Sequence, residues 1–180
     1  MTMNDAESAM LAVPVGERDH VQGPADAPLT LVEYGDYQCP YCGQADTIVK
    51  QLQQEMGDQL RFVFREFPLA QIHPHAEHAA EAAEAAGAQG KYWEMHDVLY
   101  ERQRALDDAH LEQYAGSVGL DVGRFDREMR GQTYLERVRE DFTGGVESGV
   151  EGTPTFFING RRHDGSFDLQ TLRAALEVQR

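Results

Sequence analysis

Cys39-Pro40-Tyr41-Cys42 holds the only two cysteines of a 180-residue chain, and it stands where an apolar, strand-like run gives way to a helix. Two thiols separated by two residues can close a small disulfide ring and reopen it, and no cysteine is left over for a structural crosslink. The fold therefore rests on packing, and this length supports one domain, or one domain carrying an insertion, around a single core. A CxxC pair is also half of a zinc site, but a structural zinc wants four ligands. No second CxxC and no HxxxH follows, so the pattern favours redox use over metal.

The residues around the pair set its context. Residues 29–34 read as a buried strand closed by Gly35-Asp36. Pro40 lacks a backbone N–H and has its φ already set, which suits the first position of a helix and leaves Cys39 as the N-cap. Ile48, Val49, Leu52 and Met56 continue the helical stripe until Gly57 stops it. Residues 60–67 read as the next strand, ended by Pro68. From His75 to about Ser148 the period becomes helical throughout, with an alanine-rich segment at 76–86 and further helices at 91–105 and 108–118. Trp93, His96 and Tyr100 share one stripe, with Tyr92, Met95 and Leu99 beside it; Asp121 caps a helix bearing Val122, Phe125 and Met129; Leu135, Val138, Phe142 and Val146 form the last stripe. This block is long enough to bury a small core of its own. Strand 155–158 then meets Asn159-Gly160, a strong hairpin signal, and Asp168 caps a final helix with Leu169, Leu172 and Leu176 inward. The expected organisation is an arm at 1–28 with a possible edge strand at 11–15, an α/β unit made of 29–67 and 150–180, and a helical insertion at 68–149.

The formal net charge of −15 argues against DNA, RNA or an anionic membrane surface as partner, since phosphates would be repelled. Residues 1–8 carry acids where a secretory signal would carry Lys or Arg, and the apolar stretch at 9–15 is broken by Pro14. As given, the chain is expected to be cytoplasmic, without a membrane span; removal of a signal or of a fusion partner would place it in the periplasm or another extracytoplasmic space.

A thiol attacks only as the thiolate, and at a helix N-terminus Cys39 meets unpaired backbone N–H groups and the positive end of the dipole. Cys42, one turn inside, is expected to stay protonated until it resolves a mixed disulfide. Glu33 is the lone charge in its strand, six residues before Cys39, placed to accept the Cys42 proton; a solvated position on the outer face is the alternative. Thr153-Pro154 opens a strand, and is read either as a strand-start proline or as a cis-proline loop offering backbone hydrogen bonds to an extended peptide. Pro40, Tyr41, Thr153 and Pro154 are the expected substrate contacts. Asp36 and Tyr37 shape the turn before Cys39, while His163 lies on hairpin surface. His73, His75 and His78 lack metal-site spacing and read as a helix start.

These residues carry a resemblance. The strand with Glu33, then Cys39-Pro40-Tyr41-Cys42, a helical insertion, and Gly152-Thr153-Pro154-Thr155-Phe156 resemble the DsbA-like branch of the thioredoxin superfamily, from about Gly23 to the C-terminus. Relatives of this type occur fused to Na⁺/H⁺ antiporters. The resemblance implies a thioredoxin fold with a central mixed sheet and an inserted helical subdomain. It also implies a nucleophile at Cys39, a resolving cysteine at Cys42, a buried acid at Glu33 and a cis-proline at Pro154. Such a protein exchanges disulfides with substrate-protein cysteines, is recycled by a redox partner, needs no cofactor, and is expected to be a monomer. Pro-Tyr between the cysteines, where the best-studied members have Pro-His, implies a milder potential and leaves the direction of exchange open. A redox-sensing binding module and a glutathione-linked small-molecule transferase remain alternatives.

Overall fold

The computed structural model describes residues 9–180; the acids of residues 1–8 lie outside the described residues. The chain runs β1 (His20–Gln22), β2 (Leu29–Gly35), α1 (Pro40–Met56), a 3-10 turn (Gly57–Gln59) and β3 (Leu60–Glu66). It continues through α2 (Ala76–Ala88), α3 (Tyr92–Glu101), α4 (Asp108–Ser117), α5 (Val122–Arg130) and α6 (Leu135–Glu147), then β4 (Thr155–Ile158), β5 (Arg161–His163) and α7 (Leu169–Val178).

The strands form one mixed sheet in the order β1-β3-β2-β4-β5. β2 and β3 are joined through α1 and pair in parallel, whereas β4 pairs antiparallel to the other side of β2. β2 thus lies in the middle, and the chain leaving it at Gly35 enters the thiol turn from the centre of the sheet. Asn159 and Gly160 both adopt positive φ, 48° and 84°, which a two-residue hairpin turn demands. Asp121 and Asp168 cap their helices as expected, and Asp107 caps α4 in the same way, each carboxylate accepting a backbone N–H of the first turn.

Two expectations need correction. The edge strand is His20–Gln22, paired with β3, rather than residues 11–15. Met10 makes an isolated bridge to Arg161, and Pro14 and Gly16 interrupt any further ladder. The arm therefore crosses from the β5 edge to the β3 edge, laying Leu11 and Val15 against Val32, Tyr34, Val63 and Phe157 on one face of the sheet. The core of the helical insertion, in turn, is not separate but continuous with that of the sheet. Ala79, Ala82, Ala83 and Ala86 of α2 and Met95 and Leu99 of α3 belong to one buried cluster with Leu31, Phe62 and Phe64 of the sheet and Leu172 and Leu176 of α7. Alanine on α2 leaves room for the close packing that joins the insertion to the sheet.

On the arm-covered face, Arg65 is 3% exposed and fully engaged. It pairs with Asp19 through two contacts at 2.8 and 2.9 Å and donates to Tyr34 Oη and to the carbonyls of Val13 and Pro14. Removing one partner of a buried pair strands the other charge. Arg65→Met is expected to destabilise the protein by roughly 3–5 kcal/mol in urea denaturation, and adding Asp19→Asn should recover part of that loss.

Candidate active site

Cys39 caps α1 in extended backbone (φ −72°, ψ 120°), and no side chain satisfies the first-turn N–H groups. The turn leading to it is tied on three sides. Asp36 accepts from the N–H of Gln38 at 2.7 Å and of Leu69 at 2.9 Å, and its Oδ2 lies 2.7 Å from His73 Nδ1. Gln38 accepts from His75 N–H at 2.8 Å. From beyond α3, Gln103 donates to the carbonyls of Tyr37 at 2.8 Å and Cys39 at 2.9 Å. The Gln103 amide fills the space over Gly43, where an added Cβ would fall 2.2 Å from its oxygen.

Both cysteines are free thiols, Cys39 only 4% exposed and Cys42 wholly buried. A hydrogen bond from the Cys42 side chain is the largest force lowering the Cys39 pKa, to about 5 against an ordinary 9.0. Burial opposes this, while the Thr153 side chain and the backbone N–H groups of Cys42 and Tyr41 reinforce it. As a thiol, Cys39 Sγ lies 3.6 Å from the Thr153 carbonyl; as a thiolate it can only accept, and the Thr153 hydroxyl has no other partner. Burial pushes the Cys42 thiol well up, and the neighbouring Cys39 sulfur and Glu33 carboxylate push it further. One sulfur is thus ionised and the other holds its proton.

Glu33 lies within the molecule, 1% exposed, which removes the solvated-face alternative. It pairs in register with Phe64 on β3 and Phe156 on β4, so its strand neighbours offer no charge and no donor. Burial raises its proton affinity well above that of an ordinary carboxylate, with Asp46 and Cys39 adding to the shift. The Thr153–Pro154 peptide is cis, immediately beside Cys39. Pro40 is exposed and Tyr41 is 62% exposed, at the mouth of the site. Cys39, Cys42, Glu33 and Thr153 are therefore brought together, with Pro40, Tyr41 and Pro154 around them.

The histidines before and within the first turn of α2 part company: His73 reaches Asp36, whereas His78 pairs with Asp108 at 2.7 Å. Sequence reasoning missed four residues around the pair. His96 lies 2.9 Å from Tyr37 Oη and 3.3 Å from Asp46; Tyr100 is buried; Gln103 clamps the turn. In sequence His96 and Tyr100 form a helical stripe, but a stripe does not say which polar atom faces which strand. Asp46, His96 and Asp97 also place ligand-type atoms within 4.8 Å of one another, and the Lys50 ammonium bridges the two carboxylates at 2.9 and 3.1 Å.

Thiolate ultraviolet absorbance should titrate with a midpoint of about 5, and Cys42→Ala should move it upward by roughly one to two pH units as the strongest hydrogen bond is lost. Because the folded protein releases this proton near 5 and an unfolded chain near 9, the thiolate's contribution to the stability of the reduced protein is full above about 9. It shrinks as pH falls and is gone below about 5, which thermal unfolding of the reduced form across pH will read.

The thioredoxin family model matches residues 16–178. A protein named Na(+)/H(+) antiporter NhaA 1, from Salinispora arenicola (strain CNS-205), is 50% identical over 167 residues. That match takes in 92% of this chain but 26% of the relative, so the chain spans about a quarter of the length of such proteins. Among solved structures, a thioredoxin-like oxidoreductase from Silicibacter pomeroyi DSS-3 is 28% identical with a TM-score of 0.80, over 91% of this chain and 92% of the other. Alpha-DsbA1 from Wolbachia pipientis shares the fold at 18% identity and a TM-score of 0.80, over 94% of each chain. The mixed sheet, with helices inserted between β3 and β4 and a cysteine pair at the head of α1, carries the family match over most of its length: the chain belongs to the thioredoxin family.

Proposed function

We propose that the protein is a thiol–disulfide oxidoreductase that exchanges disulfides with the cysteines of other proteins. Cys39 is the sulfur that attacks or is attacked, Cys42 resolves the mixed disulfide, and Glu33 takes the Cys42 proton. Pro40, Tyr41, Thr153 and Pro154 contact the substrate. The observation that carries the reading is the opposed state of the two sulfurs, Cys39 ionised at about 5 and Cys42 held protonated by burial. A thiolate at that pKa is a good leaving group from a mixed disulfide, and its stabilisation favours the reduced form of the pair. That balance makes the oxidised protein a disulfide donor, in an oxidising compartment and with a partner that reoxidises the pair.

The exposed Tyr41 ring beside Cys39 supports a protein substrate, since it adds contact area around the reacting sulfur. The cis Thr153–Pro154 peptide leaves backbone groups beside the same sulfur for an extended chain. The transport implied by the antiporter relatives' name is not part of the proposal, as no described helix is long and apolar enough to cross a membrane.

The test is turnover of a reduced, unfolded cysteine-containing protein together with the equilibrium against glutathione. Wild-type protein should introduce disulfides, Cys39→Ser should abolish turnover, and Cys42→Ser should accumulate mixed disulfide. A potential clearly more oxidising than that of thioredoxin, about −270 mV, is expected. Full turnover by Cys42→Ser with glutathione alone would instead support the small-molecule transferase, and negligible turnover with an oxidation-dependent partner affinity would support a sensor.

A further inference from the structure

We infer that Tyr100 is a positioning residue for the Cys42 proton: its hydroxyl supplies the hydrogen bond that keeps the Glu33 carboxylate in the charged, proton-accepting form. The inference rests on the exchange reading above and adds a residue to it.

Three buried polar atoms beside the thiol pair have no hydrogen-bond partner: the Thr153 hydroxyl, which lies against Cys39, and Glu33 Oε1 and Tyr100 Oη. The last two belong to the same side of the sheet. Glu33 and Gly35 are two residues apart on β2, so they face the same way, with Cα atoms about 7 Å apart. An added Cβ on Gly35 would fall 3.0 Å from Tyr100 Oη, which places the phenol directly over the end of β2, next along that face from Glu33. The two groups make no direct bond, but a glutamate side chain and a phenol can be bridged over this spacing by one water, and a buried polar pair left unmade is costly.

The surrounding groups leave few other donors for Glu33. Its strand neighbours are Phe64 and Phe156. α1 presents Cys39, Cys42 and Asp46, the turn presents Tyr37, and α3 presents His96 and Tyr100. Tyr37 and Asp46 already take up the two ring nitrogens of His96, and the Lys50 ammonium is held by Asp46 and Asp97. Burial also pushes the Tyr100 phenol well above its ordinary pKa, with Cys42 and Glu33 contributing, so it keeps its proton and remains a donor throughout the working range.

The step balances without any further reagent. The Cys42 thiol gives its proton to the Glu33 carboxylate, and the resulting thiolate attacks Cys39 Sγ of the mixed disulfide. The Cys39–Cys42 bond forms as the bond to the substrate sulfur breaks, and the substrate leaves as a thiolate. Tyr100 neither gives nor takes a proton. Its hydrogen bond lowers the pH at which Glu33 is ready to accept one.

The experiment reacts reduced protein with a limiting amount of a symmetrical aryl disulfide whose released thiolate is coloured. The first release reports attack by Cys39, and the second reports resolution by Cys42. Tyr100→Phe is expected to leave the first release unchanged, which also verifies the fold. It should slow the second by about tenfold at neutral pH and raise its pH midpoint by about one unit. Glu33→Gln should slow the second release more, and adding Tyr100→Phe to it should slow it no further. A second release in Tyr100→Phe with wild-type rate and midpoint overturns the inference. So does equal slowing of both releases, or a full additional slowing on the Glu33→Gln background. Wild-type protein that gives only the first release overturns the exchange reading itself, a result distinct from any of these.

Discussion

The geometry of one turn, residues 36–39, governs most of what the molecule can do. The Cys39 thiol gives up its proton readily in part because the first N–H groups of α1 have no internal partner and point at it. That arrangement persists only if the turn cannot relax, and three elements hold it. Asp36 binds the loop after β3, Gln38 accepts from the start of α2, and Gln103 grips the two carbonyls from beyond α3. The two sulfurs differ in proton affinity because this frame leaves Cys39 at the edge and sinks Cys42 completely. Burial, usually a stabiliser of apolar groups, here helps separate two chemically identical side chains into a thiol that gives up its proton readily and one that keeps it.

The same contrast governs the buried charged side chains. Glu33 and Arg65 are both buried in adjacent strands, yet they are treated oppositely. Arg65 faces the arm and has Asp19, a phenol and two carbonyls around its guanidinium. Glu33 faces the thiols with aromatic strand neighbours and one oxygen unpartnered. A polar group whose neighbours leave it unsatisfied marks a place where the fold gives up stability, and the thiol site is one such place in this chain.

Much of this was legible in the chain of letters. The order of strands and helices followed from hydrophobic period, and Pro40, Gly57, Asp121, Asp168 and Asn159-Gly160 marked their boundaries through known backbone preferences. Glu33 was legible because a lone charge in an apolar strand stands out. The short edge strand was not, since three residues carry no period and Pro14 and Gly16 drew attention to the wrong segment. Gln103, Tyr100, His96 and Asp46 were hidden for a different reason. Each becomes part of the site through contacts across the sheet or from the insertion, and no local pattern encodes such distances.

Gln103 carries a wider implication. In sequence the strand pattern yields to the helical pattern at Pro68, and the insertion looks like a detachable module. Its glutamine nevertheless reaches back across the molecule to hold the carbonyls beside the reactive sulfur, and Gly43 is left without a side chain so that it fits. The border between sheet scaffold and helical insertion therefore runs through the thiol turn itself. A shortened or transplanted version of this protein would inherit the motif but lose the brace that tunes it, so insertion and scaffold have to be exchanged together.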